Sequence, residues 1–306
     1  MDLPNTAQTT QNGASGTYVT AAPTTTAGAS PRSTEPAPTR DASPLHATTP
    51  LGPAPAPRAL TVSLVIPAKN EARNLAWVLG EIPDCVDEVV MVDGRSEDAT
   101  LLMASIHRPD IRFVAQSGTG KGDALRAGFA SATGDIVVMI DADGSMSARE
   151  IPHFLHFLTH GYDFVKGSRF IAGGGSLDIT AFRRTGNWAL LQLVNSLYDA
   201  NLTDLCYGFC AFHRQFLDLL DLTADGFDIE AQMTVHALKA GLRIAEVPSL
   251  ELPRRSGRSN LHAVRDGNLV LRSVLRDRQR RHRARHALDL LHLPYSGRRQ
   301  LAPHHG

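Results

Sequence analysis

Hydrophobic positions show no repeat along the first 59 residues; from Val62 onward they fall into short, punctuated runs. Val62-Ser63-Leu64-Val65-Ile66, closed by Pro67, predicts a strand, and Asn70 to Leu75 opens a helical pattern carried on by Trp77, Val78 and Ile82. Val86 to Val92 predicts a second strand ending on Asp93-Gly94, and Ser96 to Thr100 starts another helix. Ile111 to Val114 predicts a third strand, followed by Gly118-Thr119-Gly120-Lys121-Gly122 and a helix through Ala124, Leu125, Gly128 and Phe129. Ile136 to Ile140 is uniformly apolar and runs straight into Asp141, Asp143 and Gly144. Apolar runs this short, bounded by turn residues, suit strands covered on both faces. Strands alternating with helices over about ninety residues call for an α/β fold: a mostly parallel sheet with helices on both faces.

The later pattern is less regular. Ile151, Phe154, Leu155 and Leu158 share one helical face, and Asp163 to Phe170 predicts a strand ending in polar residues. Gly173-Gly174-Gly175 predicts a mobile segment leading through Arg183 and Arg184 into a helix with Leu190, Leu191, Val194 and Leu197. Asp204 to Phe209 reads as an acidic and aromatic turn. Phe227-Asp228-Ile229-Glu230 puts two acids before a helix from Ala231 to Ala240, a strand region spans Arg243 to Leu252, and Arg254 to Ser259 forms a basic loop.

Composition divides the chain. Residues 1–59 are rich in Thr, Ala, Pro, Ser and Gly and cannot offset the entropy of ordering, so they predict a disordered tail. Residues 60–275 predict the globular domain, and 276–306 a basic C-terminal tail, with Arg272, Arg276, Arg278, Arg280, Arg281, Arg283 and Arg285 crowded around its start. The N-terminus lacks the apolar core and cleavage site of a secretory signal, and no run is long enough to span a membrane. Three cysteines are too few for a disulfide framework and suit a reducing cytoplasm. With 31 basic and 31 acidic residues the net charge is zero, which argues against a general nucleic-acid binder.

Candidate chemistry gathers at predicted strand ends, where open α/β sheets bind ligands. Asp141 and Asp143, two residues apart, can converge on one hard cation, Mg²⁺ or Mn²⁺; an Asp-Gly turn is the plainer alternative. The glycine-rich loop is no phosphate loop of the Walker type, because Ala115 and Gly122 stand where that motif needs glycine and Ser/Thr. The loop after the first strand lacks the dinucleotide fingerprint as well. Lys121 can sit near phosphate as a point charge. Asp228 or Glu230 is a candidate base, with helix capping the alternative.

Taken in order, Val65-Ile66-Pro67-Ala68-Lys69-Asn70-Glu71, Val92-Asp93-Gly94, Gly120-Lys121-Gly122, Asp141-Ala142-Asp143, Gly167-Ser168-Arg169-Phe170, Thr203-Asp204 with Gly208-Phe209, and Arg254-x-x-Gly257-x-Ser259 resemble glycosyltransferase family 2. The similarity spans roughly residues 60 to 275 and is strongest to the polyprenol-phosphate mannosyltransferase branch, on the GT-A fold. It implies inverting transfer of a sugar from a nucleoside-diphosphate donor, GDP-mannose or a UDP-sugar, assisted by Mg²⁺ or Mn²⁺. Pro67, Ala68, Asn70, Glu71 and Asp93 would hold the nucleoside. Asp141 and Asp143, flanking Ala142, would hold the metal, and Lys121, Gly122, Arg254 and Ser259 would lie around the diphosphate. Arg169 and Arg184 would bind the acceptor phosphate. Ser145 stands where this branch commonly has Gln.

A phosphate monoester, with a second pKa near ~6, is already a nucleophile at neutral pH and needs positioning rather than a base. Polyprenyl phosphate is therefore the expected acceptor, with peripheral contact between the arginine-rich segment and an anionic membrane, at the cytoplasmic face, as a corollary. A soluble glycan or natural-product hydroxyl is the alternative acceptor and would need Asp228 or Glu230 as base. A sugar-1-phosphate nucleotidyltransferase is a more remote reading.

Overall fold

The first predicted strand, β1 (Val62–Ala68), is buried along nearly its whole length because both of its faces are covered. The computed structural model, which describes residues 58–257 and 261–279, places it between β2 (Glu88–Asp93) and β4 (Ile136–Met139), parallel to both. β3 (Arg112–Ala115) lies outside β2, and β5 (Phe164–Ser168), β7 (Cys210–His213) and β8 (Ile244–Pro248) complete a seven-stranded sheet of order β3-β2-β1-β4-β7-β5-β8. A separate parallel pair, β6 (Gly175–Ser176) with β9 (Leu250–Glu251), sits beyond the end of β5.

Alternation along β1 assigns the helices to faces. Leu64 and Ile66 pack with Leu75 and Val78 of α1 (Ala72–Gly80) and with Phe154 and Leu155 of α4 (Ile151–Thr159). Ala104 of α2 (Thr100–His107) joins the same cluster. Val65 faces the opposite way, toward Leu125 and Phe129 of α3 (Lys121–Ser131) and Met233 of α7 (Ile229–Lys239). Gly128 lets α3 press onto the sheet: a Cβ there would fall 2.4 Å from a Val65 methyl. A third cluster joins α5 (Ala181–Tyr198), α7 and α8 (Ala263–Gln279), with Leu191, Val194, Val235, Val270 and Val274 in it. The short α6 (Leu217–Leu220) adds Leu220 to the Val65 side.

Three expectations change. The turn at Asp204–Phe209 continues into β7, which runs antiparallel to both β4 and β5. Its residues, Cys210-Ala211-Phe212-His213, are all buried but include no β-branched side chain and end on a histidine, so they lack the apolar run that marked β4. Phe212 lies edge-on to Phe129 at 5.3 Å and stacked on Phe164 at 6.1 Å; truncating it to Ala would cost about 3–5 kcal/mol. Gly173-Gly174-Gly175 is pinned, since Gly174 N–H donates to Ile171 O and Gly175 N–H to Ser249 O. The domain limit expected at 275 falls inside α8, where Asp277 is buried 3.1 Å from His236 Nε2. At the other limit, Arg58 already bonds Asp135 at 2.7 Å, so packing begins slightly before 60. The expected tail through residue 57 and the arginines from 280 onward lie outside the described residues.

Candidate active site

In-register pairing of β1 with β2 sets Pro67 beside Val92 and Ala68 beside Asp93, so the loops after both strands meet at one sheet edge. Asn70 takes a left-handed backbone (φ 58°), which asparagine tolerates better than most residues. Its N–H donates to the Ser96 hydroxyl at 3.0 Å, and its Oδ1 accepts the Glu97 N–H at 2.8 Å. Both Asp93 carboxylate oxygens accept from Ser96 N–H, at 3.2 and 3.3 Å. Asp98 stitches the loops further by accepting from Ala72 and Thr100 N–H. Burial pushes its carboxyl up, but those bonds outweigh it and hold the group below the usual range. The loop is thus a rigid platform made by side chains, not glycines.

At the end of β4 the chain turns. The strand stops at Met139, and Asp141 to Gly144 form the turn, with Gly144 at φ 79°. Ala142 is buried in the core among Met146 and Ile140. Asp143 Oδ1 accepts the Ser145 N–H at 2.9 Å, and Ser145 O accepts from Leu252 N–H, so Ser145 orients the acid through its backbone. The turn reading holds, and the turn presents both acids at the end of β4.

Two cations bridge four carboxylates here. Lys121 Nζ lies 2.5 Å from Asp141 Oδ1 and 2.6 Å from Glu230 Oε1. Arg254 reaches Glu71 Oε1 at 2.7 Å and Asp143 Oδ2 at 3.1 Å. Burial pushes the Asp141 carboxyl up to about 6; Lys121 opposes the shift, and the negative charges of Asp143 and Glu230 add to it. Burial would lower the Lys121 ammonium, yet Asp141 and Glu230 overcome that and raise it. Burial also raises Glu71, against the pull of Arg254. Four ionised carboxylates against two cations leave two negative charges in excess, which suits a divalent ion. Among the described residues no three His, Cys, Asp or Glu side chains form a metal cage. An ion held by Asp141 and Asp143 would take its remaining ligands from a diphosphate or water, as Mg²⁺ commonly does.

Across the sheet edge, past β7, Arg169 and Arg184 have opposite surroundings. The Arg169 side chain is only 2% exposed. It donates to both Asp204 oxygens at 2.7 and 3.0 Å, to Glu251 Oε1 at 3.1 Å and to Cys206 O at 3.2 Å. Arg184 is exposed on α5, its guanidinium 5.3 Å from the Phe170 ring centre. Trp188, one helical turn on and on the same face, is 59% exposed. Phe182 and Leu177 are exposed as well.

Comparison with known proteins fits this geometry. The family model described as "Glycosyl transferase family 2" matches residues 63–220. Glycosyltransferase AglJ of Haloferax volcanii is 34% identical over 219 residues, covering 70% of this chain and 71% of that protein. The chain belongs to glycosyl transferase family 2. Undecaprenyl-phosphate mannosyltransferase of Micrococcus luteus is 31% identical over 224 residues, 69% of this chain and 92% of the relative. Glucosyl-3-phosphoglycerate synthase from Mycobacterium tuberculosis, solved with Mn²⁺, UDP and glucosyl-3-phosphoglycerate, superposes with a TM-score of 0.57 at 24% identity, over 72% of this chain and 80% of that one. That likeness identifies the fold as GT-A.

Within this family 2 glycosyltransferase the expected site residues separate. Pro67, Ala68, Asn70, Glu71, Asp93, Lys121, Asp141, Asp143, Arg254 and Glu230 gather around the ends of β1, β2 and β4. Gly122 has a packing role that the sequence did not show: its N–H donates to Asp225 O at 2.8 Å, and a Cβ there would fall 2.1 Å from Ala224 O. The same contact makes the expected flexible loop a clasp. Arg169 lies apart from this group, its guanidinium engaged by Asp204, Glu251 and Cys206 O. Asp228 parts from Glu230: it occupies the N-cap position of α7 without a side-chain cap bond, and its charged neighbours are Arg276 and Asp225. Burial raises its carboxyl. Ser259 lies outside the described residues. Sequence reasoning missed Asn74, whose amide bonds Glu71 Oε2 at 2.5 Å, and Trp77, which carries the Arg255 guanidinium 4.7 Å from its ring centre. The three-residue helical step from Glu71 to Asn74 was the available signal for the first.

Proposed function

We propose that this glycosyltransferase moves a sugar, with inversion at the anomeric carbon, from a nucleoside-diphosphate donor to polyprenyl phosphate at a membrane surface. The observation that carries the acceptor is Arg184, an exposed cation cushioned on Phe170, with exposed Trp188 one helical turn on along the same face. An anionic head on an apolar tail matches that pairing of charge and greasy rim. A relative named undecaprenyl-phosphate mannosyltransferase supports the same class. No described helix is long and apolar enough to cross a membrane, so contact would be made by such a surface.

The base question points the same way. Glu230, the acid nearest the chemistry, is held by Lys121 at 2.6 Å and is poorly placed to take a proton from a hydroxyl. A phosphate acceptor asks for no such base. Asp141 and Asp143 would hold Mg²⁺ or Mn²⁺, which when bound stabilises charge on the departing diphosphate. Lys121 and Arg254 supply further positive charge at the same place. The stitched platform at Pro67, Ala68, Asn70 and Asp93 would orient the nucleoside, whether of GDP-mannose or a UDP-sugar.

The test incubates the full chain with polyprenyl phosphate and labelled GDP-mannose, UDP-glucose or UDP-galactose, with Mn²⁺ or EDTA. Metal-dependent label in the lipid phase supports the reading. Transfer only to soluble hydroxyl acceptors would overturn it.

A further inference from the structure

We propose that Lys121 and Arg254 compete with the divalent cation for Asp141 and Asp143, and so make metal binding depend on the nucleoside diphosphate. The inference rests on the metal-assisted reading above and assigns these two residues a second task, set apart from stabilising the leaving group. Each cation joins one of the two acids that would hold the metal to a carboxylate outside that pair: Lys121 joins Asp141 to Glu230, and Arg254 joins Asp143 to Glu71. Both acids that would hold the metal are thereby already ion-paired. An ion arriving alone must break two short, partly buried ion pairs, whereas an ion arriving with a diphosphate brings new anionic partners for the freed ammonium and guanidinium.

The outer carboxylates keep the displaced cations close. Glu230 retains Lys121 when Asp141 turns to the metal, so the ammonium remains beside the diphosphate, and Glu71 does the same for Arg254. The surrounding backbone fixes this arrangement. Gly208 leaves no room beside the pair, since a Cβ there would lie 2.7 Å from Glu230 Oε1 and 3.1 Å from Lys121 Nζ. On the other side, the N–H of Gly122 donates to Asp225 O, anchoring the start of α3 just after Lys121. Glu71 is braced by Asn74, whose amide also reaches Ser256 O at 3.3 Å, on the segment that carries Arg254. Lys121 and Arg254 are thus held in place by the fold and are not exposed side chains that happened to fall near an acid.

Mn²⁺ binding, read by electron paramagnetic resonance of the free ion and by calorimetry, tests the proposal on the full chain with and without UDP or GDP. Wild-type protein is expected to bind Mn²⁺ alone weakly and about tenfold or more tightly with the diphosphate. Lys121→Met should bind Mn²⁺ alone about tenfold more tightly than wild type, and the added gain from the diphosphate should shrink. Lys121→Gln, which keeps a hydrogen-bond donor, serves if the methionine variant does not fold. Arg255→Gln removes a positive charge from the same rim, where the guanidinium rests on Trp77, and should behave like wild type. Unchanged or weaker binding of Mn²⁺ alone to the Lys121 variants overturns the proposal, as does equal tightening in Arg255→Gln, while diphosphate-dependent Mn²⁺ binding in all of them would leave the metal-assisted reading standing. Absence of Mn²⁺ binding to every variant, even with UDP or GDP, overturns both.

Discussion

At the proposed donor side each cation is shared between two acids, Lys121 by Asp141 and Glu230 and Arg254 by Glu71 and Asp143. At the proposed acceptor side the same kinds of residue are sorted by depth. Arg169 is sealed with Asp204 and Glu251, and Arg184 stands in the open against Phe170. The donor side carries an excess of negative charge that a divalent ion can use, and the acceptor side separates an arginine that holds the fold from one that can hold a ligand. A motif that names an arginine does not tell which of these two tasks it has.

The sharpest way to break that comparison is Arg169→Met. It leaves Asp204 and Glu251 buried without their cation and should cost about 3–5 kcal/mol in urea unfolding; a loss below about 1 kcal/mol would mean that the buried cluster does not bear on stability. Asp141→Asn and Asp143→Asn should act on chemistry instead. Transfer should fall about 10²–10³-fold, the scale of removing one preorganised charge-stabilising group, while the thermal midpoint stays near wild type. A matching fall in stability would place those acids with Arg169. Arg184→Gln should raise the KM for polyprenyl phosphate about tenfold, a loss of about 1.4 kcal/mol, without altering the KM for the donor. Equal changes in both constants would remove Arg184 from the acceptor side.

The smallest effect concerns pH and the strand between the two sides. His213 on β7 donates from Nε2 to Leu158 O at 3.2 Å, and burial holds its imidazole below the ordinary 6.5. The unfolded chain therefore takes up a proton that the folded chain resists. His213 costs no stability above pH 6.5, and stability is lost as the pH falls from there through the folded value. His213→Gln should flatten the fall in urea midpoint between pH 7 and 5; an unchanged slope would assign it to other groups.

Much of this was legible in the sequence because the sheet's first four strands are apolar, short and punctuated. Asp93 and Asp141 fell at strand ends for that reason, and the order of motifs carried the family. What stayed hidden depends on partners far along the chain. Arg169 and Arg184 look alike in sequence, and only Asp204 and Glu251, brought in from 35 and 82 residues away, distinguish them. The family resemblance sets Gly122 near the diphosphate, and nothing in the sequence shows that the backbone of Ala224 and Asp225 fills the space beside it. β7 escaped because Cys210-Ala211-Phe212-His213 has no β-branched residue and ends on a histidine, unlike the equally short and buried β4, whose Ile136-Val137-Val138-Met139 is an apolar β-branched run.

The clasp between Gly122 and Asp225 also bears on how this enzyme can be divided. The family model ends at residue 220, and Asp141 and Asp143 fall inside that limit. Asp225, which anchors the Lys121 segment, and Glu230 and Arg254, which complete the charge pairs, all fall beyond it. A fragment cut at the family boundary would keep the conspicuous acids and lose the residues that hold their counter-charges in place. For grafting or splitting the domain, the indivisible unit reaches past Arg254 to α8, whose Val270, Val274 and Asp277 pack against α5 and α7.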